Sequence, residues 1–444
     1  MKNSVKWLIR HGFLPHGEET GITGQWLGQI LAHLIRQGQS LKQLSEQQWM
    51  EALTQTAKQL TRHPSVPGRE SLIDPTKNEL PLIQIDPYIR GIVRWLNMMH
   101  IYTICSCDGE GRRPAELYFL HDLSAEQLTI IRTCAPKRIN VRLSRHSGRF
   151  QRILLHYDPD HMDDLLVMAE RLYDVWRHPG QLLAYRFEAF KRRLISLLDI
   201  NGPSGREQQV CRHLQRRLRP KTDELYTDHY GNLLAAIHCG DGPTVLLSAH
   251  MDTVCSFPPD RAIVCNENTL RASSGILGAD DRAGIAVILE LIDVIRHSRF
   301  HGTLKIAFTV REEIGCLGSR HLDRDFLRDV DAAIVVDRRG TRDIVTSNGG
   351  TPFCPDEYGQ LFKQAGALAG MPDWKTTTGG LSDAKVFASF GIPSVNLSVG
   401  YQNEHTEDET LDCQAALETV LLLETIFDQN LLSPFIEQRT TVQN

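Results

Sequence analysis

The 444-residue chain has no long apolar run. Its best candidate, Gly284 to Ile295, is interrupted by Glu290 and Asp293 and reads as a soluble amphipathic helix rather than a bilayer span. There is no marked excess of one charge: 49 Lys and Arg stand against 54 Asp and Glu, a formal net charge of −5. Nothing electrostatic therefore favours nucleic acid or an anionic membrane as a partner. A disulfide framework is missing too. Ten cysteines are scattered along the chain with only Cys105 and Cys107 close together, which suits reduced thiols in a cytoplasmic protein. The opening MKNSVKWLIRHGF is basic but lacks a sustained apolar region and a small-residue cleavage site, so an exported chain is not expected. What is present is ordinary for a globular protein, 41% hydrophobic and 23% charged residues. The length suits about two to four domains.

The grammar of the chain changes near residues 178–186, at the breaker His178-Pro179-Gly180. Before it lies an N-terminal module, residues 1–180, in two pieces. Residues 1–62 are helical, with apolar spacing at Trp26, Leu27, Ile30, Leu31 and Leu34. A connection rich in proline follows (Pro64, Pro67, Pro75, Pro81, Pro87). Residues 88–177 read as a small α+β unit. A helix over Ile92–Met99 precedes extended segments at Ile101–Cys105 and Leu117–Leu120, then a helix from Ala125 capped by Ser124. Two strands flank a Ser147-Gly148 turn, and a helix over Met162–Trp176 closes the unit. From Phe187 onward strands alternate with helices. This predicts an α/β domain, residues 187–444, with a mostly parallel mixed sheet covered by helices on both faces.

Within that domain His250, Asp280, Glu313, Asp337 and His405 each stand at the end of an apolar run or in the loop after it. Open α/β sheets bind ligands outside the carboxyl ends of their strands, so all five are predicted to meet at one edge. Two imidazoles and three carboxylates form a donor set for a pair of zinc-like ions sharing one bridging carboxylate. Asp252, two residues beyond His250, can accept the other ring N–H of that histidine and set its tautomer. Glu312 and Glu313 are adjacent and project differently, so one can ligate while the other serves as general base. The chemistry indicated is hydrolysis of an amide bond by metal-activated water.

These residues resemble the clan of co-catalytic di-zinc exopeptidases (clan MH), which includes tripeptidase T and the glutamyl and leucyl aminopeptidases. The matching stretches are Ser248-Ala249-His250-Met251-Asp252-Thr253-Val254, Gly278-Ala279-Asp280-Asp281-Arg282-Ala283-Gly284 and Arg311-Glu312-Glu313-Ile314-Gly315. Val336-Asp337, His405-Thr406, Pro203-Ser204-Gly205 and Asp228 with Gly231-Asn232 extend the likeness over about residues 187–430. The resemblance implies that His250 and Asp337 hold one zinc, Glu313 and His405 the other, and Asp280 bridges, with Glu312 as base. Cobalt or manganese would suit the same donors. It also implies a cis peptide after Asp280. Spacings of 30 residues from His250 to Asp280 and 68 from Asp337 to His405 leave no room for an inserted lid domain. By the same resemblance, Asp as the fourth ligand implies an aminopeptidase acting on short peptides, with a deacylase or dipeptidase of the same clan as the alternative. Glu404 stands where some aminopeptidases carry an oxyanion-donating Tyr, and Tyr401 is nearby as a substitute. Asp383 is read as a cap for the helix Ala384–Phe390.

Other signals are weaker. Cys105-Ser106-Cys107-Asp108 lacks partners at finger-like spacing and is read as loop or core. The basic residues Arg186, Lys191, Arg192, Arg193, Arg212, Arg216, Arg217 and Arg219 are read as the wet face of two helices. The N-terminal module stays open between a lid, a partner-binding domain and a homo-oligomer surface.

Overall fold

The computed structural model describes residues 2–15, 18–38, 45–60, 80–146 and 150–443. Its contacts divide the chain into two units between Arg186 and Phe187. The first opens with α1 (Lys2–Arg10), α2 (Gly21–Arg36), α3 (Glu46–Leu60) and α4 (Arg90–Met98). Strands β1 (Thr103–Cys107) and β2 (Ala115–Phe119) follow, then α5 (Ala125–Cys134), β3 (Asn140–His146), β4 (Phe150–His156) and α6 (Asp163–Arg177). The strands form an antiparallel sheet in the order β1-β2-β4-β3. Alternating burial along β2 and β4 shows one face turned to the core, where the period of two puts Leu117, Ile153 and Leu155. Trp95 of α4 is fully buried, stacks on Trp176 of α6 and donates its indole N–H to the Ile9 carbonyl at 2.8 Å. α4 can lie this close because residue 91 is glycine: a Cβ there would fall 2.1 Å from the Arg10 carbonyl oxygen. Ser124 caps α5 in a reciprocal box with Gln127, as its sequence suggests.

The second unit, Phe187–Asn444, begins within α7 (Gln181–Leu198) and continues with α8 (Gln208–Leu218). The strands β5 (Glu224–Thr227), β6 (Leu233–His238), β7 (Thr244–His250), β8 (Ile263–Asn266) and β9 (Thr269–Ala272) come next. Then follow α9 (Ala279–Ile292), β10 (Thr303–Thr309), α10 (Leu317–Arg320), α11 (Arg324–Leu327) and β11 (Ala332–Arg338). The remainder is β12 (Asp343–Asn348), β13 (Thr351–Pro352), α12 (Asp356–Leu368), β14 (Lys375–Thr378), α13 (Asp383–Ser389), β15 (Ser394–Ser398), β16 (Tyr401–Gln402), β17 (Thr410–Asp412), α14 (Cys413–Asp428) and α15 (Leu432–Gln443).

The main sheet runs β13-β12-β15-β11-β7-β10-β6-β5, with β14 paired to β12. Its centre, β15-β11-β7-β10, is parallel, and β12 and β6 join it antiparallel. The fold is therefore α/β with a mixed, largely parallel sheet. Every residue of β7 and β15 is buried because both faces are covered. Alternate side chains of β7 serve opposite cores: Val245, Leu247 and Ala249 pack with α9 and α14, and Leu246 packs with Phe326 and Phe387. The register sets Thr309 beside His250 and Arg338 beside Ser398, so the four parallel strands end along one edge. A smaller sheet, β16-β17-β9-β8, is separate from the main one.

Several local expectations shift. α7 starts at Gln181, directly after the breaker, so its first turn precedes the expected α/β domain start at Phe187. Leu317–Arg320 and Arg324–Leu327 are each a single helical turn. Arg193, expected on a wet face, is instead tied to Glu290 at 3.2 Å and Asp293 at 3.0 Å. The Ser147-Gly148 turn and Pro64, Pro67 and Pro75 lie outside the described residues.

Candidate metal centre

The five predicted ligands meet at the carboxyl edge of the parallel strands. β7 ends on His250, and β11 runs into Asp337. Asp280 sits at the start of α9, Glu312 and Glu313 follow β10, and His405 lies between β16 and β17. The Asp280 carboxylate stands between the two histidines, with Oδ1 2.9 Å from His250 Nε2 and Oδ2 3.2 Å from His405 Nε2. Asp337 Oδ1 lies 3.7 Å from His250 Nε2, and Glu313 Oε2 lies 2.9 Å from His405 Nε2. The result is two imidazole–carboxylate pairs joined by one shared carboxylate. Glu312 converges with His250 and Asp337, their donor atoms within 4.8 Å of one another. The peptide between Asp280 and Asp281 is cis.

A shell of hydrogen bonds holds these groups. His250 Nδ1 faces the Asp252 carbonyl at 3.1 Å and its Oδ1 at 3.4 Å, so its proton is shared between them. The Asp252 carboxylate also accepts the Glu312 N–H at 2.9 Å, the Glu313 N–H at 3.2 Å and the Ser204 hydroxyl at 2.6 Å. One buried side chain thus orients both the first histidine and the turn carrying the two glutamates. The Asn396 amide brackets Asp337, accepting its N–H at 2.9 Å and donating to its carbonyl at 2.7 Å. Glu409, 1% exposed, accepts the N–H groups of Gly278 at 2.8 Å, Ala279 at 2.7 Å and Asp280 at 3.2 Å. Asp281 accepts the His250 N–H at 3.2 Å. Ser204, Asn396, Glu409 and Asp281 carry no local motif that marks these roles. They act through contacts across 31 to 131 positions of sequence.

Two sequence expectations are corrected. The Tyr401 hydroxyl donates to Asp337 Oδ1 at 3.0 Å and is buried there, so its proton supports a ligand candidate rather than an oxyanion. Asp383 does not cap α13. Its carboxylate turns inward to accept the Thr309 hydroxyl at 2.6 Å and that of Ser319, because a buried charge needs donors that a helix start does not supply here. Glu404 is salt-bridged to Arg339 at 3.0 Å.

The electrostatics fit divalent cations. Burial raises the Asp280 carboxyl, but hydrogen bonds from His250 and His405 outweigh it and keep that group low. Burial and the Asp280 charge lift Asp337 to about 7. Burial lifts Glu312 well above the carboxylate range and raises Glu313. Hydrogen bonds to Asp280 and Glu313 raise His405 to about 10. Glu313 Oε1 is buried without a hydrogen-bond partner, although a buried carboxylate oxygen ordinarily has one. Crowded carboxylates, imidazole nitrogens and one orphaned oxygen suit positive ions bound among them.

Residues 232–421 match the sequence profile of peptidase family M28. That segment, less than half of the chain, is similar to peptidase family M28. Its members are metal-dependent peptidases, so the chain is a metallopeptidase homologue with buried His, Asp and Glu clusters suited to metal. An uncharacterized Bacillus subtilis protein, YqjE, is 24% identical over 357 residues, covering 53% of this chain and 96% of that protein. Peptidase T of an Exiguobacterium species is 31% identical over 151 residues, 25% of this chain and 37% of that enzyme, so the chain spans little more than a third of it. Among solved structures, aminopeptidase PepT from Bacillus cereus aligns at a TM-score of 0.48 with 20% identity, over 55% of this chain and 98% of that one. Among the described residues no helix is long and apolar enough to cross a membrane.

Proposed function

We propose that the second unit is a two-metal aminopeptidase acting on short peptides. The observation that carries this reading is the Asp280 carboxylate set between two imidazole–carboxylate pairs, His250 with Asp337 and His405 with Glu313. In this reading His250 and Asp337 would hold one divalent ion and His405 and Glu313 the other, with the Asp280 carboxylate within reach of both. Zinc suits these nitrogen and oxygen donors, as do cobalt and manganese. Bound there, such ions would polarise the scissile carbonyl and make water a stronger nucleophile.

The chain's own residues do the rest. Glu312 is 3.1 Å from the Cys316 thiol and not tied to either histidine, so its carboxylate stays available to take the proton of the attacking water. It then returns that proton to the leaving amine. Asp252 keeps His250 in one tautomer and holds the Glu312 backbone, so base and ligand move together. Asn396 and Tyr401 fix Asp337 from both ends of the residue.

The preference for a free amino terminus rests on the rim. A cavity of about 570 Å³ beside His405 is lined by Arg339, Asn403, Glu404, Thr406 and Asp408. Its one arginine is engaged by Glu404, which leaves a wall suited to a substrate ammonium rather than a carboxylate. Between Asp337 and His405 the chain is spent on β12 to β16 and their helices, which supports a catalytic unit without an inserted lid.

The test is a panel of aminoacyl-anilide, N-acetyl-amino-acid and N-acetyl-peptide substrates with the metal-reconstituted protein, before and after chelation. Cleavage of the free-amine substrate alone, lost on chelation, is expected. Cleavage of only the acylated substrates removes the aminopeptidase reading and leaves a deacylase.

A further inference from the structure

The turn after β10 places a buried thiol against the candidate base. It runs Glu312-Glu313-Ile314-Gly315-Cys316 and closes on itself. The Glu312 carbonyl accepts the Cys316 N–H at 2.7 Å and the Gly315 N–H at 2.9 Å. Gly315 makes the bend at φ +110°. This closure brings residue 316 back over residue 312, and the Cys316 thiol donates to Glu312 Oε1 at 3.1 Å. Cys316 sits at φ +55°, in the left-handed region that a non-glycine side chain enters only at a cost. Glycine would relieve that strain and would supply no donor.

Among the described residues nothing else holds the Glu312 side chain. Its carboxylate accepts no further hydrogen bond and forms no ion pair, whereas the Asp252 carboxylate accepts three donors. Cys316 is 1% exposed. Burial, then the Asp383 and Glu312 charges, raise its thiol, so the proton stays on sulfur and the group donates. Asp383 converges with Glu312 and Cys316, their donor atoms within 4.8 Å of one another. Its two oxygens already accept the Thr309 and Ser319 hydroxyls, which leaves Glu312 as the acceptor of the thiol proton. A thiol is a weak donor. It can orient a carboxylate while drawing off less of its basicity than a hydroxyl or an ammonium would.

We propose that Cys316 is a positioning residue for Glu312, its thiol holding Oε1 so that Oε2 is presented to the attacking water. This rests on the reading of Glu312 as general base. Cys316 acts through Glu312 alone and binds neither metal nor substrate.

The experiment has two arms, both on the zinc-loaded full-length protein. In the first, kcat and KM for an aminoacyl-anilide are measured in wild type, Cys316→Ser and Cys316→Ala, with bound zinc counted in each. Alanine should lower kcat by about tenfold, the effect of a hydrogen bond to a charged group discounted for a weak sulfur donor, with KM and zinc content unchanged. Serine keeps a donor and should recover most of that rate. A cysteine that only packs gives the reverse order, because a buried site tolerates alanine better than an unpaired hydroxyl. Serine no faster than alanine, or alanine at wild-type kcat, overturns the proposal. The second arm is infrared difference spectroscopy of the S–H stretch between wild type and Glu312→Gln, which needs neither turnover nor a change at residue 316. The wild-type band should lie below that of a free thiol and move up when the carboxylate becomes an amide, a weaker acceptor. A band indifferent to Glu312→Gln overturns the proposal, and this arm decides alone if the Cys316 variants do not fold. A shifted band in a wild-type protein that cleaves neither free-amine nor acylated substrates instead overturns the reading of Glu312 as base, and the positioning role with it.

Discussion

Glu409 provides a sharp test of how the centre is held. Its carboxylate accepts three backbone N–H groups, from Gly278, Ala279 and Asp280, at 2.8, 2.7 and 3.2 Å, and it is buried. Glu409→Ala removes the acceptor and leaves those donors without water or partner. An orphaned buried donor costs about 1–3 kcal/mol, so three give a range of roughly 3–9 kcal/mol, and the long third bond favours the lower part. At the lower bound of about 3 kcal/mol, the melting temperature of a unit this size falls by roughly 6–12 °C. Glu409→Gln keeps one carbonyl oxygen, enough for the two N–H groups that share Oε1, and turns an N–H toward Gly278. It should therefore fall between wild type and alanine. The assay pairs thermal melts of the metal-free protein with metal affinity, because the same loop carries Asp280. An alanine variant with wild-type melting temperature and wild-type metal affinity would refute the reasoning.

Tyr401→Phe removes the donor to Asp337 Oδ1 and nothing else of size. A hydrogen bond to a charged group is worth about 1.5–3 kcal/mol, so metal affinity should weaken by roughly ten- to a hundredfold. Unchanged affinity in a competition titration would show the bond to be idle. His11 is fully buried, and burial followed by the Arg90 charge holds its pKa down at about 3, against 6.5 for a free imidazole. Between those values the unfolded chain binds a proton that the folded unit refuses. Stability is therefore full above about pH 6.5 and falls as the pH drops, by on the order of 1.4 kcal/mol per pH unit. Urea unfolding at pH 7 and pH 5 should show that loss in wild type and a smaller one in His11→Phe. Equal losses would contradict it.

The central strands were legible because covering both faces leaves a continuous apolar record, as in Thr244–His250 and Ser394–Ser398. The convergence of His250, Asp280, Glu313, Asp337 and His405 followed from their places after those runs. Edge strands were harder to see. Lys375–Thr378 is polar and largely exposed, and Glu224–Thr227 buries none of its residues fully, so neither leaves an apolar trace. The supporting shell was the least visible part. Glu409 reaches Gly278 across 131 positions, and Asn396 reaches Asp337 across 59, distances at which no spacing rule operates. Asp383 misled for the same reason: a residue at a helix start is locally a cap, and only the tertiary donors Thr309 and Ser319 turn it inward.

The central claim is that Glu312 is the base of a metal-dependent hydrolase and is not itself a ligand. The most direct measurement is turnover of an aminoacyl-anilide by Glu312→Gln loaded with metal, alongside the variant's metal stoichiometry. The account predicts two ions bound as in wild type and turnover lower by about 10²–10⁴-fold, the usual contribution of a general base. Full turnover in Glu312→Gln, or loss of a bound ion together with activity, would contradict it.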